Sequence, residues 1–261
     1  MTNNVVGSID LVEILFTLFW LFFAILVFYL QREARREGFP ILDDVGKGQV
    51  VVRRNPDTVE KKKVYIQAHG PKYAVPRPID MDHETNLAAT SAANFPGAPL
   101  VPTGDPLVDG IGPAAWSDRE DRPDLCYEGH PRIVPMRNNP SFHIDSRDPD
   151  PRGMPVVTAD GKTVGTVSDA WIDLPEPMIV YLEVGLDASV GTGNVLVPFA
   201  FVDIRKSRDT IQVDAVMAEQ FARAPRTKES DTVTLLEEDK IQAYFGGGAL
   251  LATAERSEPL I

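Results

Sequence analysis

The chain has 261 residues, with 26 Lys and Arg against 38 Asp and Glu and a formal net charge of −12. That balance argues against nucleic acid as a partner, and the single Cys126 excludes an internal disulfide and fits a reducing compartment. No Asn-x-Ser/Thr glycosylation acceptor is present, since Asn139 is followed by Pro140.

In chain order, the first element dominates. Residues 14–30, ILFTLFWLFFAILVFYL, carry no charge, and Thr17 is their only polar side chain. At about 1.5 Å per residue this run, extended at its edges to 11–31, is long enough to cross a hydrocarbon core roughly 30 Å thick. A cleaved signal peptide would need a basic n-region and a small-x-small cleavage site; the preceding MTNNVVGSIDLVE has no Lys or Arg, and the run ends in Phe28, Tyr29 and Leu30. A core helix is seldom apolar all the way round. The sequence therefore predicts a retained single-pass helix at 11–31. Arg32, Arg35 and Arg36 follow it at once, and positive flanks stay on the cytoplasmic side. Residues 1–10 are then periplasmic and the remainder cytoplasmic.

Residues 32–140 read as an extended, proline-rich region. Gly38-Phe39-Pro40 stops the helix, and short extended pieces alternate with Pro and Gly turns. Arg53, Arg54 and Lys61 to Lys63, with the three arginines above, suit anionic lipid head groups. Tyr65, Tyr73, Phe95, Trp116 and Tyr127 give the region more apolar surface than a linker needs. It is expected to lie along a partner and bury its aromatics there.

Residues 141–261 form the folded part. Asp160-Gly161 between apolar runs is a hairpin signal, and strands are predicted at 156–159, 163–172, 178–185, 194–204 and 210–215. Short strands at this spacing indicate a small antiparallel barrel or sandwich. Thr234 and Glu237 make a capping box for a closing helix, with Leu235, Leu236, Ile241 and Tyr244 on its apolar face, and Gly246-Gly247-Gly248 is expected to end it. The fold class is thus mainly β, with one N-terminal membrane helix and one short C-terminal helix.

Nucleotide and nucleophile motifs are absent; Gly191-Thr192-Gly193-Asn194 fits a turn better than a phosphate loop. Asp124, Cys126, Glu128 and His130 recur at every second position. In an extended segment all four point one way, which suits a proton-accepting patch, a zinc site or simply a solvated strand face. Asp173 and Glu176 are flanked by Trp171, Ile172, Leu174 and Pro175. Those neighbours predict partial desolvation and a carboxyl able to hold and release a proton; a plain exposed Pro turn is the competing reading.

Five blocks together resemble the H subunit of the photosynthetic reaction centre of purple bacteria: FYLQREARREGFP at 28–40, PTGDPLVDGIGPAAW at 102–116, IVPM at 133–136, WIDLPE at 171–176 and VTLLEEDKI at 233–241. The resemblance implies one transmembrane helix with a periplasmic N-terminus and a cytoplasmic domain containing a PRC-barrel. It implies residence in the bacterial inner, intracytoplasmic membrane. Membrane lipids and the L and M subunits would be its partners, and beyond them a light-harvesting antenna ring and a cytochrome c-linked complex. No cofactor would belong to this chain alone; bacteriochlorophyll, bacteriopheophytin, quinones and non-haem iron would sit in L and M. The chain would be a non-catalytic subunit that stabilises the L/M core, shields the quinone sites and conducts protons to the secondary quinone.

By the same resemblance, Asp173 and Glu176 take internal proton-relay positions. The family's proton-uptake and metal-binding cluster, an Asp-x-His-x-His pattern, falls on Cys126, Glu128 and His130, of which only His130 matches. Uptake is then expected near His130 with Asp124 and Glu128, and His130, Glu128 and Cys126 are the metal candidates. An arginine found after the WIDLPE-like segment in some members is replaced by Val180. The rival reading is a freestanding membrane-anchored barrel module without photochemical partners; a metal hydrolase built on the 124–130 face is the third.

Overall fold

The computed structural model describes residues 5–6, 9–39, 42–46, 49–52, 62–70, 72–76 and 87–256. They fall into two compact units, residues 1–85 with 93–98, and residues 86–92 with 99–261.

In the first unit, β1 (Val5–Val6) pairs antiparallel with β2 (Ile9–Asp10) ahead of α1 (Leu11–Arg36). The helix buries none of its residues in this chain, and among the described residues it alone is long and apolar enough to cross a membrane. Its end is a Schellman cap. Gly38 adopts φ +94°, its N–H donates to Arg35 O, and Phe39 N–H reaches back to Ala34 O at 3.2 Å. Two antiparallel pairs follow: β3 (Leu42–Gly46) with β4 (Gln49–Val52), and β5 (Lys63–Tyr65) with β6 (Tyr73–Val75). Lys63 Nζ lies 2.6 Å from Glu37 and 3.4 Å from Glu33, so this expected lipid-facing cation is engaged by acids at the end of α1. Arg53, Arg54 and Lys61 lie outside the described residues.

The second unit starts with the pair β7 (Ala89–Ser91) and β8 (Leu100–Pro102), then α2 (Pro106–Asp109), whose Asp105 cap accepts from Leu107 N. The sheet is built from β9 (Ile133–Pro135), β10 (Pro155–Thr158), β11 (Thr163–Asp173), β12 (Met178–Leu186), β13 (Asn194–Pro198), β14 (Asp203–Arg205) and β15 (Thr210–Val213). Its order is β13-β12-β11-β10-β15-β14, with β9 on the far end of β11. Only β10 and β15 pair in parallel among these strands. The strand expected over 194–204 is two strands, interrupted by a 3-10 turn at Phe199–Phe201. Asp160-Gly161 does make the hairpin turn, with Gly161 at φ +73°.

Asp160 also ties that turn to α3 (Ala218–Phe221). Its Oδ1 accepts from Thr158 Oγ1 at 2.6 Å and from Ala218 N at 3.2 Å, and Lys162 pairs with its other oxygen at 3.0 Å. Burial works upward on this carboxyl, but those bonds hold it at about 2 against the usual 3.8. A lowered acid stabilises the fold above its unfolded value and loses that contribution as pH falls through the folded one. Wild type should therefore lose thermal stability between about pH 4 and about pH 2 more steeply than Asp160→Asn. Parallel melting curves across that range check this; superimposable slopes would refute it.

The closing helix α4 (Leu235–Leu251) starts at the predicted capping box: Thr234 Oγ1 accepts from Glu237 N, and Glu237 accepts from Thr234 N. It does not stop at the three glycines. A Cβ on Gly247 would come within 2.6 Å of Ala114 Cβ, and one on Gly248 within 2.7 Å of Ala215 O. Here glycine allows backbones to approach rather than ending the helix. On the same helix Phe245 is fully buried, 5.7 Å from the Phe221 ring edge-on and 6.4 Å from Phe201. Much of the region read as partner-facing also belongs to this core: Leu107, Ala114, Ile133 and Met136 are buried with Trp171, Leu182 and Ile241. Burial of each large apolar side chain is worth about 1.5–3 kcal/mol, so Leu107, Ile133 and Met136 tie this stretch to its own chain, while Trp116 and Tyr127 stay exposed.

Candidate functional site

β9 pairs with the end of β11 so that Ile133 lies opposite Asp173. That register sets Arg132 beside the turn linking β11 to β12, where its carbonyl accepts from Leu174 N at 3.0 Å. The guanidinium then meets three carboxylates. Its Nε donates to Asp173 Oδ2 at 2.7 Å, its Nη2 to Glu176 Oε1 at 3.1 Å, and its Nη1 lies 3.9 Å from Asp124 Oδ2. The bond to Asp173 raises the guanidinium above its ordinary value, so it remains a cation. Asp173 Oδ1 also accepts from Glu176 N at 3.0 Å, which closes the turn.

The desolvation expected at WIDLPE is divided unequally. Asp173 is buried, its side chain 7% exposed, whereas that of Glu176 is 66% exposed. The apolar neighbours of Glu176 do not cover its carboxylate, because the turn carries it outward onto Arg132.

The 124–130 segment is not an extended strand. Leu125 bridges Pro131, Cys126 N donates to His130 O, and Gly129 turns at φ +86° with its N–H on Cys126 O. This tight hairpin breaks the alternation. Asp124 turns toward Arg132, Cys126 is buried, and Glu128 and His130 are exposed. Burial is the main cause that pushes the Cys126 thiol up, with the Glu128 charge next, which disfavours the thiolate a metal would need. Among the described residues no three His, Cys, Asp or Glu side chains come together to hold a metal ion. The metal set of His130, Glu128 and Cys126 is thus not assembled by this geometry.

Two further charged groups escaped the sequence reading. Asp169 and Glu183 are buried directly opposite one another on β11 and β12, and Arg137 Nη1 lies 3.2 and 2.6 Å from them. Trp171 Nε1 adds a hydrogen bond to Glu183 at 2.8 Å, and Arg137 also pairs with Asp231. The other group is Glu238 on the first turns of α4. Burial, helped by the Asp124 charge, pushes its carboxyl up to about 7, against downward pulls from Arg119, Tyr181 and Arg132. Nothing within a few residues of Arg132, Arg137 or Glu238 marks them, because their partners lie across the fold.

Two family models match the chain. One, described as the photosynthetic reaction centre H-chain N-terminal region, matches residues 3–138, and the other, described as the PRC-barrel domain, matches residues 143–220.

Proposed function

The chain belongs to the photosynthetic reaction centre H-chain family, and from that premise we propose that it is a non-catalytic subunit conducting protons toward the secondary quinone. Association with the L and M subunits follows from the family, and in this reading those subunits carry the pigments, quinones and iron. The N-terminal helix anchors the chain in a membrane. Arg32 and Arg35, exposed at the helix end, support a cytoplasmic position for the following domain. In this reading the domain also stabilises the L/M core and covers the quinone sites, with antenna ring and cytochrome partners further out.

The observation that carries proton conduction is the convergence of Asp124, Asp173 and Glu176 on Arg132. A quinone reduced twice must take up two protons in a site shut off from bulk water, so titratable groups have to hand them inward. Asp173 is buried and Asp124 more open, which orders the group from surface to interior. Arg132 offsets the cost of gathering three negative charges. His130 and Glu128, exposed at the hairpin, would collect protons from solvent.

Flash kinetics on the intact complex test this. Glu176→Gln and Asp173→Asn should leave assembly and the first electron transfer to the secondary quinone unchanged. Each should slow the second, proton-coupled transfer about tenfold, roughly 1.4 kcal/mol of barrier. Unchanged second-transfer rates in both variants would leave these carboxylates as turn residues only.

A further inference from the structure

Adjacent glutamates at the start of α4 have opposite fates. Glu237 is a structural group: one oxygen accepts from Thr234 N at 2.9 Å in the capping box and the other from Lys228 N at 2.8 Å. Glu238 is half-buried and has little in return. Among the described residues its carboxylate is met by one long hydrogen bond, 3.4 Å from Tyr181 Oη, and Gln242 Nε2 donates to the same hydroxyl at 3.4 Å. Tyr181 itself is fully buried on β12, and burial raises it well beyond the usual phenol range, so it stays a donor.

The charges acting on Glu238 come from the segment that carries the candidate site. Asp124 repels it, and Arg119 and Arg132 attract it; Asp239 on its own helix acts on the neighbouring Tyr181. Arg132 is also the cation that holds Asp173 and Glu176. The start of α4 is also tied to that segment, since Pro123 bridges Thr234 and Leu235 N donates to Arg122 O at 2.9 Å, so Glu238 approaches the group from the α4 side.

We propose that Glu238 is a proton-exchanging carboxylate of this path, taking a proton from solvent and passing it to the Asp124–Arg132–Asp173 group. This inference rests on the proton-conduction reading above. The step is balanced: the carboxylate binds one proton from water, and the same proton leaves from its oxygen to Asp124 or to water beside it. A carboxyl near 7 is half protonated at working pH, so both directions are open. A purely structural carboxylate would be tied as Glu237 is.

The test uses the intact complex and flash-induced proton uptake measured against pH. Wild type should show a step centred near pH 7. Glu238→Gln should lose that step together with a carboxyl band in the light-induced infrared difference spectrum, and Glu238→Asp should keep a displaced one. Tyr181→Phe removes a bond that favours the ionised form, so its step should move to higher pH. Glu176→Gln and Asp173→Asn run alongside. If they slow the second transfer while Glu238→Gln keeps the wild-type profile, the role of Glu238 is overturned and the path stands. If those two variants leave the second transfer unchanged, the path reading fails and this inference falls with it.

Discussion

Arg137→Met should cost about 3 kcal/mol of folding stability, the low end of the range for stranding a buried charge. Asp169 and Glu183 face each other across β11 and β12, both buried, and like charges directly opposite in a sheet repel. Arg137 Nη1 is shared between them, and its Nη2 continues to Asp231 Oδ1 at 2.8 Å. Methionine fills a similar length but leaves the two carboxylates facing one another. The guanidinium is partly exposed, so water reaches the vacated space and moderates the loss. Urea unfolding of the detergent-solubilised chain measures it. The same substitution in a Glu183→Gln background should cost less, with a coupling of about 1–3 kcal/mol. A loss below about 1 kcal/mol with no coupling, as for a surface pair, would refute the account.

Gly248→Ala should also destabilise, by about 1–3 kcal/mol, although alanine is favoured over glycine inside a helix by roughly 1 kcal/mol. The new Cβ would lie 2.4 Å from Val216 Cγ1 and 2.7 Å from Ala215 O, and Val216 is fully buried. A side-chain end can turn away, but the backbone carbonyl can yield only by moving α4 off its support. Gly247→Ala meets Ala114 in the same way, at 2.8 Å from its Cα. By contrast Gly246→Ala has only ordinary contact, 3.7 Å from Phe201, and should be neutral or slightly stabilising. The three variants form a series read by thermal melting; uniform stabilisation across it would mean that α4 is not closely packed.

These glycines show where local reading stops. Spacing and composition sufficed for α1, from an uncharged run and its glycine cap, for the Asp160-Gly161 hairpin and for the capping box at Thr234 and Glu237. In each case the deciding contacts lie within a few residues, so the chain itself carries the signal. The same local view misjudged Gly246-Gly247-Gly248 as a stop. Whether a glycine ends a helix or lets another segment approach depends on Ala114 and Ala215, which are remote in sequence.

The candidate site divides along the same line. Asp173, Glu176 and Asp124 were legible as carboxylates in suggestive surroundings, and the resemblance supplied roles for Asp173 and Glu176. The alternation from Asp124 to His130 was legible too, yet the hairpin turned at Gly129 removed its meaning. Arg132 meets Asp173 across a separation of 41 residues and Tyr181 meets Glu238 across 57. Sequence alone determined the anchor, its flanking charge and the hairpin around Asp160-Gly161, and it marked Asp124, Asp173 and Glu176 as candidates, because those depend on hydrophobic run length and nearest neighbours. Which acids share an arginine, which one is exposed and which one titrates near neutrality were decided by the tertiary structure, since burial and Coulomb interaction depend on distances that chain order does not fix.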